Sequence, residues 1–270
     1  MTTTASTEAV TAFWAAHLGC SRAQLTQPGT TVVANGPDLA DYRGATVVAR
    51  PPACVVAVPP DWYEPAVASL GHRPPAAVFD EAVLRRVFGD AVRQVIGPAW
   101  LGYADSGDFR PAPRMGARLL TDQDLPALQG LAAACGPTGW EHGGIDPACP
   151  PVYGCYAGEV LAAAGKLQRW GTRLLHVGIV THPAYRGRGY GKAVVGAMTA
   201  DGLAAGGVVQ YRTLQANLPS VGIARALGFQ RFALTLAVRL TPAAVRPGRP
   251  PAGTAVPRRR GGRPPGPPGG

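Results

Sequence analysis

The stretch LLHVGIVTHPAYRGRGYGKAVVGAMTADGLAA, residues 174–205, decides the fold of this chain. Residues 174–181 are mostly apolar, as in a buried strand, and residues 192–205 have the composition of an apolar helix. Between them, residues 186–191 carry three alternating glycines, which let the backbone approach a ligand closely. The N–H groups that open a helix have no acceptor within it, so an anion can bind them. A strand, a glycine-rich turn and a helix in succession therefore predict a phosphate-binding loop.

The spacing of the glycines excludes two common phosphate-binding loops. Residues 187–192 read G-x-G-x-G-K, with lysine at the position where a dinucleotide-binding motif has its third glycine. Arg186 and Ala193 stand where a P-loop has a glycine and a hydroxyl residue. The loop therefore belongs to neither class.

The remaining pattern is Arg186-x-x-Gly189-x-Gly191, which follows Val180-x-x-Pro183. This pattern resembles the acyl-CoA binding motif of the GNAT superfamily of N-acyltransferases. The resemblance implies an α/β fold with a mixed sheet, acetyl-CoA as the acyl donor, and loop amides that hold its pyrophosphate. It also implies that backbone N–H groups of the central strand polarise the thioester carbonyl. The cofactor-binding positions carried over are Gly178, Ile179, Val180, Arg186, Gly187, Arg188, Gly189, Tyr190, Gly191 and Asn217.

A second block lies at the distance that the resemblance requires. After a β-rich run at residues 208–214, Asn217 and the triplet at residues 227–229, Leu-Gly-Phe, match the way in which the family commonly ends. Ala224 differs, because many relatives carry at this position a tyrosine that protonates the departing thiolate. The resemblance therefore predicts the cofactor site but leaves the source of this proton open.

The resemblance implies direct attack of a substrate amine on the thioester, without a covalent enzyme intermediate. A base must then accept the ammonium proton directly or through water. Glu141 lies in residues 136–144, a glycine-rich segment that we predict to be a substrate-facing loop. His176 shares a strand face with Gly178 and Val180 because side chains alternate along a strand. Glu141 and His176 are therefore the predicted catalytic residues, although a lone histidine in an apolar strand is often a packing residue.

The remaining sequence divides into three predicted parts. Residues 1–110 are expected to form a smaller α/β domain, either a degenerate copy of the same fold or an unrelated one, without a glycine-rich anion loop. Residues 111–240 are expected to form the acyltransferase domain. Residues 241–270 are rich in Pro, Gly and Arg and are expected to be disordered. The predicted helices cover residues 7–18, 62–70, 80–88, 192–205 and one that starts at Thr121 or Asp122, and the predicted strands cover residues 31–34, 45–49, 54–58, 95–103, 117–120, 153–156, 160–170, 174–181, 208–214 and 232–240.

Composition restricts the partners and the cellular compartment. The formal net charge is +10, but residues 241–270 contain six arginines and no acidic residue, so the rest of the chain is only mildly basic. A nucleic-acid contact is therefore expected only through this tail, which alternatively is a passive solubilising segment. The five cysteines show no Cys-x-x-Cys pair, so we expect free thiols and no metal site. No apolar run is long enough for a membrane helix, and the chain is expected to be cytoplasmic.

The sequence thus predicts an N-acetyltransferase that uses acetyl-CoA and a primary amine. Two alternatives remain open at this stage. One is a non-catalytic acyl-CoA binding or scaffold protein, which Ala224 favours. The other is a nucleic-acid-associated protein that relies on the arginine-rich tail.

Overall fold

The computed structural model describes residues 4–146 and 149–241, with side chains described from Ser6 onward. The expected disorder of the tail and its possible contacts concern residues outside this part. The helices are α1 (Thr4–Leu18), α2 (Tyr63–Leu70), α3 (Pro75–Val78), α4 (Glu81–Phe88), α5 (Leu125–Gly143), α6 (Tyr190–Ala204) and α7 (Leu218–Ala226). The strands are β1 (Gly29–Ala34), β2 (Gly44–Arg50), β3 (Ala53–Val58), β4 (Val92–Ala104), β5 (Arg118–Leu119), β6 (Tyr153–Ala157), β7 (Val160–Trp170), β8 (Leu174–Thr181), β9 (Val208–Leu214) and β10 (Gln230–Leu240).

The described strands form one mixed sheet in the order β1-β3-β2-β10-β4-β9-β8-β7-β6-β5. The pairs β1–β3 and β8–β9 are parallel, and the other neighbours are antiparallel. Strand β4 comes from the N-terminal part of the chain but lies between β9 and β10. Strand β10, at the end of the C-terminal part, pairs on its other side with β2. The two parts of the chain therefore interleave in one sheet at β10 and β4.

Helices cover both faces of this sheet. Leu175 and Val177 of β8 pack in the cluster that contains α6, whereas Leu174 packs in the cluster that contains α1. Val180 belongs to the cluster that contains α5. Because successive side chains of a strand point to opposite faces, α1 and α5 lie on one face and α6 on the other. The central strand is thus buried on both sides, which explains its continuous apolar sequence.

Most predicted elements are confirmed within a few residues, and β8 and β9 have the predicted bounds. The predicted loop at residues 136–144 is wrong, since α5 continues to Gly143. Gly136, with φ 69° and ψ 166°, leaves the helical conformation, and Pro137 has no N–H, so α5 consists of two helical segments joined at a kink. The kink places the second half of α5 beside β8, where Gly143 contacts Val180 closely.

Side-chain hydrogen bonds mark the start of the first helix of the C-terminal part. Thr121 and Asp124 form a reciprocal capping box before α5. Leu128 and Leu131 of α5 are buried, whereas Leu125 is 39% exposed. Each step of three residues falls about 60° short of a full helical turn. Leu125 is two such steps from Leu131, so its side chain lies about 120° away around the helix, off the buried face.

The N-terminal part does not repeat the strand order of the C-terminal part. After β3 and the helices α2 to α4, the chain enters β4, which lies apart from β3; the parallel neighbour of β3 is β1. In the C-terminal part, the strand after α6 is the parallel neighbour of β8. The division at residue 110 and the origin of the N-terminal part as a degenerate copy therefore stay predictions.

Candidate active site

Strands β8 and β9 separate in the middle of the sheet. Their parallel ladder runs from the pair Leu174–Val208 to the pair His176–Gln210. Beyond this point β8 continues to Thr181 and β9 to Leu214, and the two strands no longer pair with each other. On its other side, β8 remains paired with β7 along its whole length. The backbone edge of β8 that faces β9 is therefore open beyond His176, and backbone groups there can bind a ligand.

The glycine-rich loop lies directly beyond the open edge of β8. Gly187 and Gly189 adopt left-handed conformations, with φ of 76° and 90°, which glycine accepts without the steric cost of a Cβ atom. Gly189 is the N-cap of α6, and its carbonyl accepts the N–H of Ala193 at 2.9 Å. The first N–H groups of α6 have no acceptor within the helix, so they are available to an anion beside the open strand edge.

A cleft of about 740 Å³ joins the open strand edge to this loop. Most predicted cofactor-binding residues line it, and so do side chains of α5, β9 and α7. Arg186 and Lys192 give the wall positive charge, and none of its described lining residues is acidic. The lining residues are Cys135, Gly139, His142, Ile179, Val180, Thr181, Tyr185, Arg186, Gly187, Gly189, Tyr190, Gly191, Lys192, Tyr211, Asn217, Pro219, Ser220, Gly222, Ile223 and Ala226.

Two predicted cofactor residues do not line the cleft. Gly178 packs against α5, where a Cβ atom would lie 2.1 Å from the carbonyl oxygen of Gly143. Its role is therefore the close approach of a strand and a helix. Arg188 is exposed and places its guanidinium 5.4 Å from the ring centroid of Tyr185. Asn217 does line the cleft, and its Oδ1 accepts the N–H of Ser220 at 3.3 Å, which caps α7.

The structure brings neither predicted catalytic residue into the cleft wall. Glu141 is exposed on the second half of α5, where the neighbouring side chain, His142, lines the cleft instead. His176 lies on the α1 face of the sheet and stacks on Trp170, with 4.9 Å between ring centroids. The catalytic roles of Glu141 and His176 therefore stay predictions.

His176 ends a chain of buried polar side chains under α1. Trp14 donates its indole N–H to the hydroxyl of Tyr103 at 2.7 Å, and Tyr103 donates to Oε1 of Gln210. Nε2 of Gln210 lies 3.0 Å from Nδ1 of His176. Burial, and secondarily the charge of Arg212, lower the pKa of His176 to about 4, so its imidazole is neutral at neutral pH.

Two hydroxyl groups that the sequence analysis missed meet in the cleft just beyond the last β8–β9 pair. The hydroxyl of Tyr211 lies 2.8 Å from Oγ of Ser220 at the start of α7. Tyr211 is only 2% exposed, and burial raises the pKa of its phenol to about 12, so the phenol keeps its proton at neutral pH. Alternation along β9 places Tyr211 on the opposite face of the sheet from Gln210. The sequence does not reveal that β8 and β9 separate here, so that this face opens into the cleft.

Ala224 is fully buried in the core beneath α6 and α7. Its neighbour Ile223 lines the cleft, as does Ala226. The position at which many relatives carry a tyrosine therefore faces the packed side of α7 in this chain.

The described residues show neither a metal-binding group nor a membrane span. Within residues 4–146 and 149–241, no three His, Cys, Asp or Glu side chains come together in a way that could hold a metal ion. No helix in the same ranges combines the length and apolar composition that crossing a bilayer requires. All five cysteines lie in these ranges and are free thiols.

The chain is similar to several solved acetyltransferase structures. An acetyltransferase from the GNAT family from Colwellia psychrerythraea aligns over 89% of this chain and 98% of its own, with a TM-score of 0.50 and 12% identity. A GNAT-family structure from Novosphingobium aromaticivorans is 25% identical, with a TM-score of 0.43. The alignment covers 54% of this chain and 65% of that protein. An aminoglycoside N-acetyltransferase solved in complex with CoA shows 22% identity over 42% of this chain and 90% of its own, with a TM-score of 0.32.

The family comparison agrees with the site geometry. No curated protein matches the sequence. The model of the Acetyltransferase (GNAT) family matches residues 121–229, which contain the open edge of β8, the glycine-rich loop and α7. The match therefore covers the part of the chain that carries the cleft, and most of the described chain shares the fold of a GNAT acetyltransferase.

Proposed function

We propose that this protein is an N-acetyltransferase that moves the acetyl group of acetyl-CoA to a primary amine by direct attack in a ternary complex. The observation that carries the proposal is one cleft that joins the open edge of β8 to the glycine-rich start of α6. Its volume, about 740 Å³, lies within the range of small-molecule and cofactor sites. A cytoplasmic location belongs to the same proposal.

The cleft contains the groups that an acyl-CoA donor requires. The first N–H groups of α6 and the positive charges of Arg186 and Lys192 suit a pyrophosphate. Gly187 and Gly189 leave the backbone free of Cβ atoms where it must approach that group. Backbone N–H groups near Ile179 and Val180, on the open edge of β8, are the proposed donors to the thioester oxygen. Preorganised donors of this kind are worth about 3–4 kcal/mol of barrier each.

The acetyl transfer itself moves two protons. The amine nitrogen attacks the carbonyl carbon, a new C–N bond forms, and the C–S bond breaks to release the CoA thiolate. The nitrogen must lose a proton and the thiolate must gain one. We propose that His142 accepts the first proton directly or through water, because it lines the cleft whereas Glu141 and His176 do not.

The proposed donor of the second proton is Tyr211. Its phenol lies just beyond the point where β8 and β9 separate, and its raised pKa, about 12, keeps it protonated. Ser220 fixes the direction of the phenol through the 2.8 Å contact between the two hydroxyl groups. This pair would supply the proton that the family tyrosine supplies in many relatives, since Ala224 is buried away from the cleft.

A thiol-release assay with acetyl-CoA over a panel of amines tests the proposed activity. The panel comprises a polyamine, an aminoglycoside, an N-terminal peptide and a lysine peptide, and calorimetry measures CoA binding in parallel. We expect saturable CoA binding and thiol release that depends on one class of amine, with a KM between about 1 μM and 1 mM. Absence of CoA binding would contradict the proposal. Binding without release for any amine would instead favour the non-catalytic acyl-CoA binding protein, which the loss of the tyrosine at Ala224 supports as the second candidate.

Tyr211→Phe is expected to lower kcat by about 100-fold, because general acid catalysis contributes at least this factor. CoA affinity should remain at the parental value, since the ring still packs edge-on against Phe229, at 5.5 Å between centroids. Steady-state kinetics and calorimetry measure the two quantities separately. Tyr156→Phe is the matched control, because its hydroxyl bonds Asp124 and does not line the cleft. Parental kcat in Tyr211→Phe would remove Tyr211 from the mechanism.

A further inference from the structure

A second pocket, of about 330 Å³, lies on the N-terminal side of the sheet. It shares no lining residue with the cofactor cleft. Its walls come from the segment after α1, the turn between β2 and β3, and the first residues of β10. The lining residues are Leu25, Thr26, Ala49, Arg50, Pro51, Pro52, Arg231, Phe232, Ala233 and Leu234.

Arg50 is the unusual residue of this pocket. It is half-buried, and its Nη1 is shielded from solvent without a hydrogen-bond partner among the described residues. Its guanidinium lies 4.1 Å from the ring centroid of Phe232, which holds the group in place. Burial lowers the pKa of Arg50, and no acidic neighbour in the described part of the chain opposes this effect. A shielded N–H donor without an acceptor destabilises a protein, so this half-buried guanidinium favours an oxyanion beside it.

The other lining residues indicate which chemical groups a bound anion would carry. Arg231 supplies a second positive charge, and none of the described lining residues is acidic. Leu25, Phe232 and Leu234 provide apolar surface beside the two guanidinium groups. A pocket of this size is at the small end of the range for ligand sites, so its occupant is a small molecule.

We propose that this pocket binds a small organic oxyanion, with its charged group on Arg50 and a short apolar or aromatic group against Leu25, Phe232 and Leu234. The guanidinium binds a carboxylate or a similar oxyanion through parallel N–H donors. The site is separate from acetyl transfer, and it does not depend on the function proposed for the cofactor cleft.

Calorimetry on the full chain with benzoate, inorganic phosphate and benzyl alcohol tests this site. We expect benzoate to bind with a Kd of about 1 mM or tighter, as suits a ligand of this few atoms. Phosphate should bind more weakly because it has no apolar group, and benzyl alcohol should not bind because it has no charge. Equal affinity for benzoate and benzyl alcohol, or no saturable benzoate binding, would overturn the proposal.

Arg50→Met separates the role of the guanidinium from the fold. We expect it to weaken benzoate binding by at least about tenfold, since charge-assisted hydrogen bonds are lost. In the absence of ligand it should raise Tm, because a half-buried guanidinium with an unpaired N–H donor is replaced by an apolar side chain. CoA binding should stay at the parental level, which distinguishes this site from the cofactor cleft. Arg93→Met, at an exposed position of β4 outside the pocket, is the control and should bind benzoate as the parent does. Parental benzoate affinity in Arg50→Met would overturn the assignment.

Discussion

Replacement of Gly189 by valine is expected to weaken CoA binding by at least about 100-fold, the cost of an interaction free energy near 3 kcal/mol. Gly189 has φ 90° and ψ −10°, a conformation that a β-branched residue adopts only with strain. It is also the N-cap of α6, so any shift of its backbone moves the N–H groups proposed to hold the pyrophosphate. A Cβ atom would lie 3.4 Å from Sδ of Met115, an ordinary contact distance, so the expected loss comes from the backbone conformation and from the loop's approach to the ligand.

Calorimetry with CoA measures this effect, and Gly206→Val is the matched control. Gly206 also has a left-handed conformation, with φ 76°, but it follows the other end of α6, and a Cβ atom added there would meet no atom within 4 Å. The control carries similar backbone strain outside the cleft, so it should bind CoA as the parent does. If Gly189→Val and Gly206→Val bind CoA equally well, the glycine-rich loop is not the pyrophosphate site.

Arg186→Glu probes the same loop through charge rather than shape. It reverses a positive charge in the cleft wall, and the resulting loss of affinity should shrink with salt as the Debye length falls to about 3 Å at 1 M. The loss in Gly189→Val is steric and should persist at high salt. A salt-independent loss in Arg186→Glu would assign Arg186 to the structure of the loop instead of to phosphate binding.

Ala224→Tyr is expected to destabilise the protein by about 3 kcal/mol or more. Ala224 has no exposed surface and packs in the cluster around α6, together with Val221, Leu227 and Phe229. Overpacking a core typically costs about 1–3 kcal/mol, and a buried phenolic hydroxyl without a partner adds to this cost. The family tyrosine therefore cannot be restored here by a single substitution.

Chemical denaturation of Ala224→Tyr measures the change in the free energy of unfolding. Ala226→Tyr is the control on the same helix, since Ala226 is exposed at the cleft and should accept a larger side chain with little change in stability. Parental stability together with higher turnover in Ala224→Tyr would show that residue 224 reaches the cleft. The burial of this position, and the proposed role of Tyr211, would then both be wrong.

The local sequence was sufficient to predict the glycine-rich loop and the elements beside it. Strand β8, the turn with its left-handed glycines, and α6 follow each other along the chain, so their order and backbone conformations depend on neighbouring residues. The same argument applies to the strand and helix that precede residues 227–229. The family was recognisable for this reason, because its cofactor motif is contiguous.

Positions that depend on contacts between distant segments were not predictable in this way. Alternation along β8 groups His176 with Gly178 and Val180, but it does not reveal that α1 covers the first of them while the cleft reaches the last. The glycine and proline at residues 136–137 predict an interruption, and only packing against β8 decides that α5 resumes beyond it.

The sequence by itself determined the glycine-rich loop, the resemblance to the GNAT family and the order of most elements. The tertiary structure decided that β4 lies between β9 and β10, that Tyr211 meets Ser220 where β8 and β9 separate, and that Arg50 faces a pocket without a counter-ion among the described residues. The first two features join residues from separate elements of the chain. The third depends on the absence of an acidic side chain near Arg50 among the described residues. Backbone propensity and side-chain periodicity act over a few residues, whereas strand pairing and burial depend on the whole sheet.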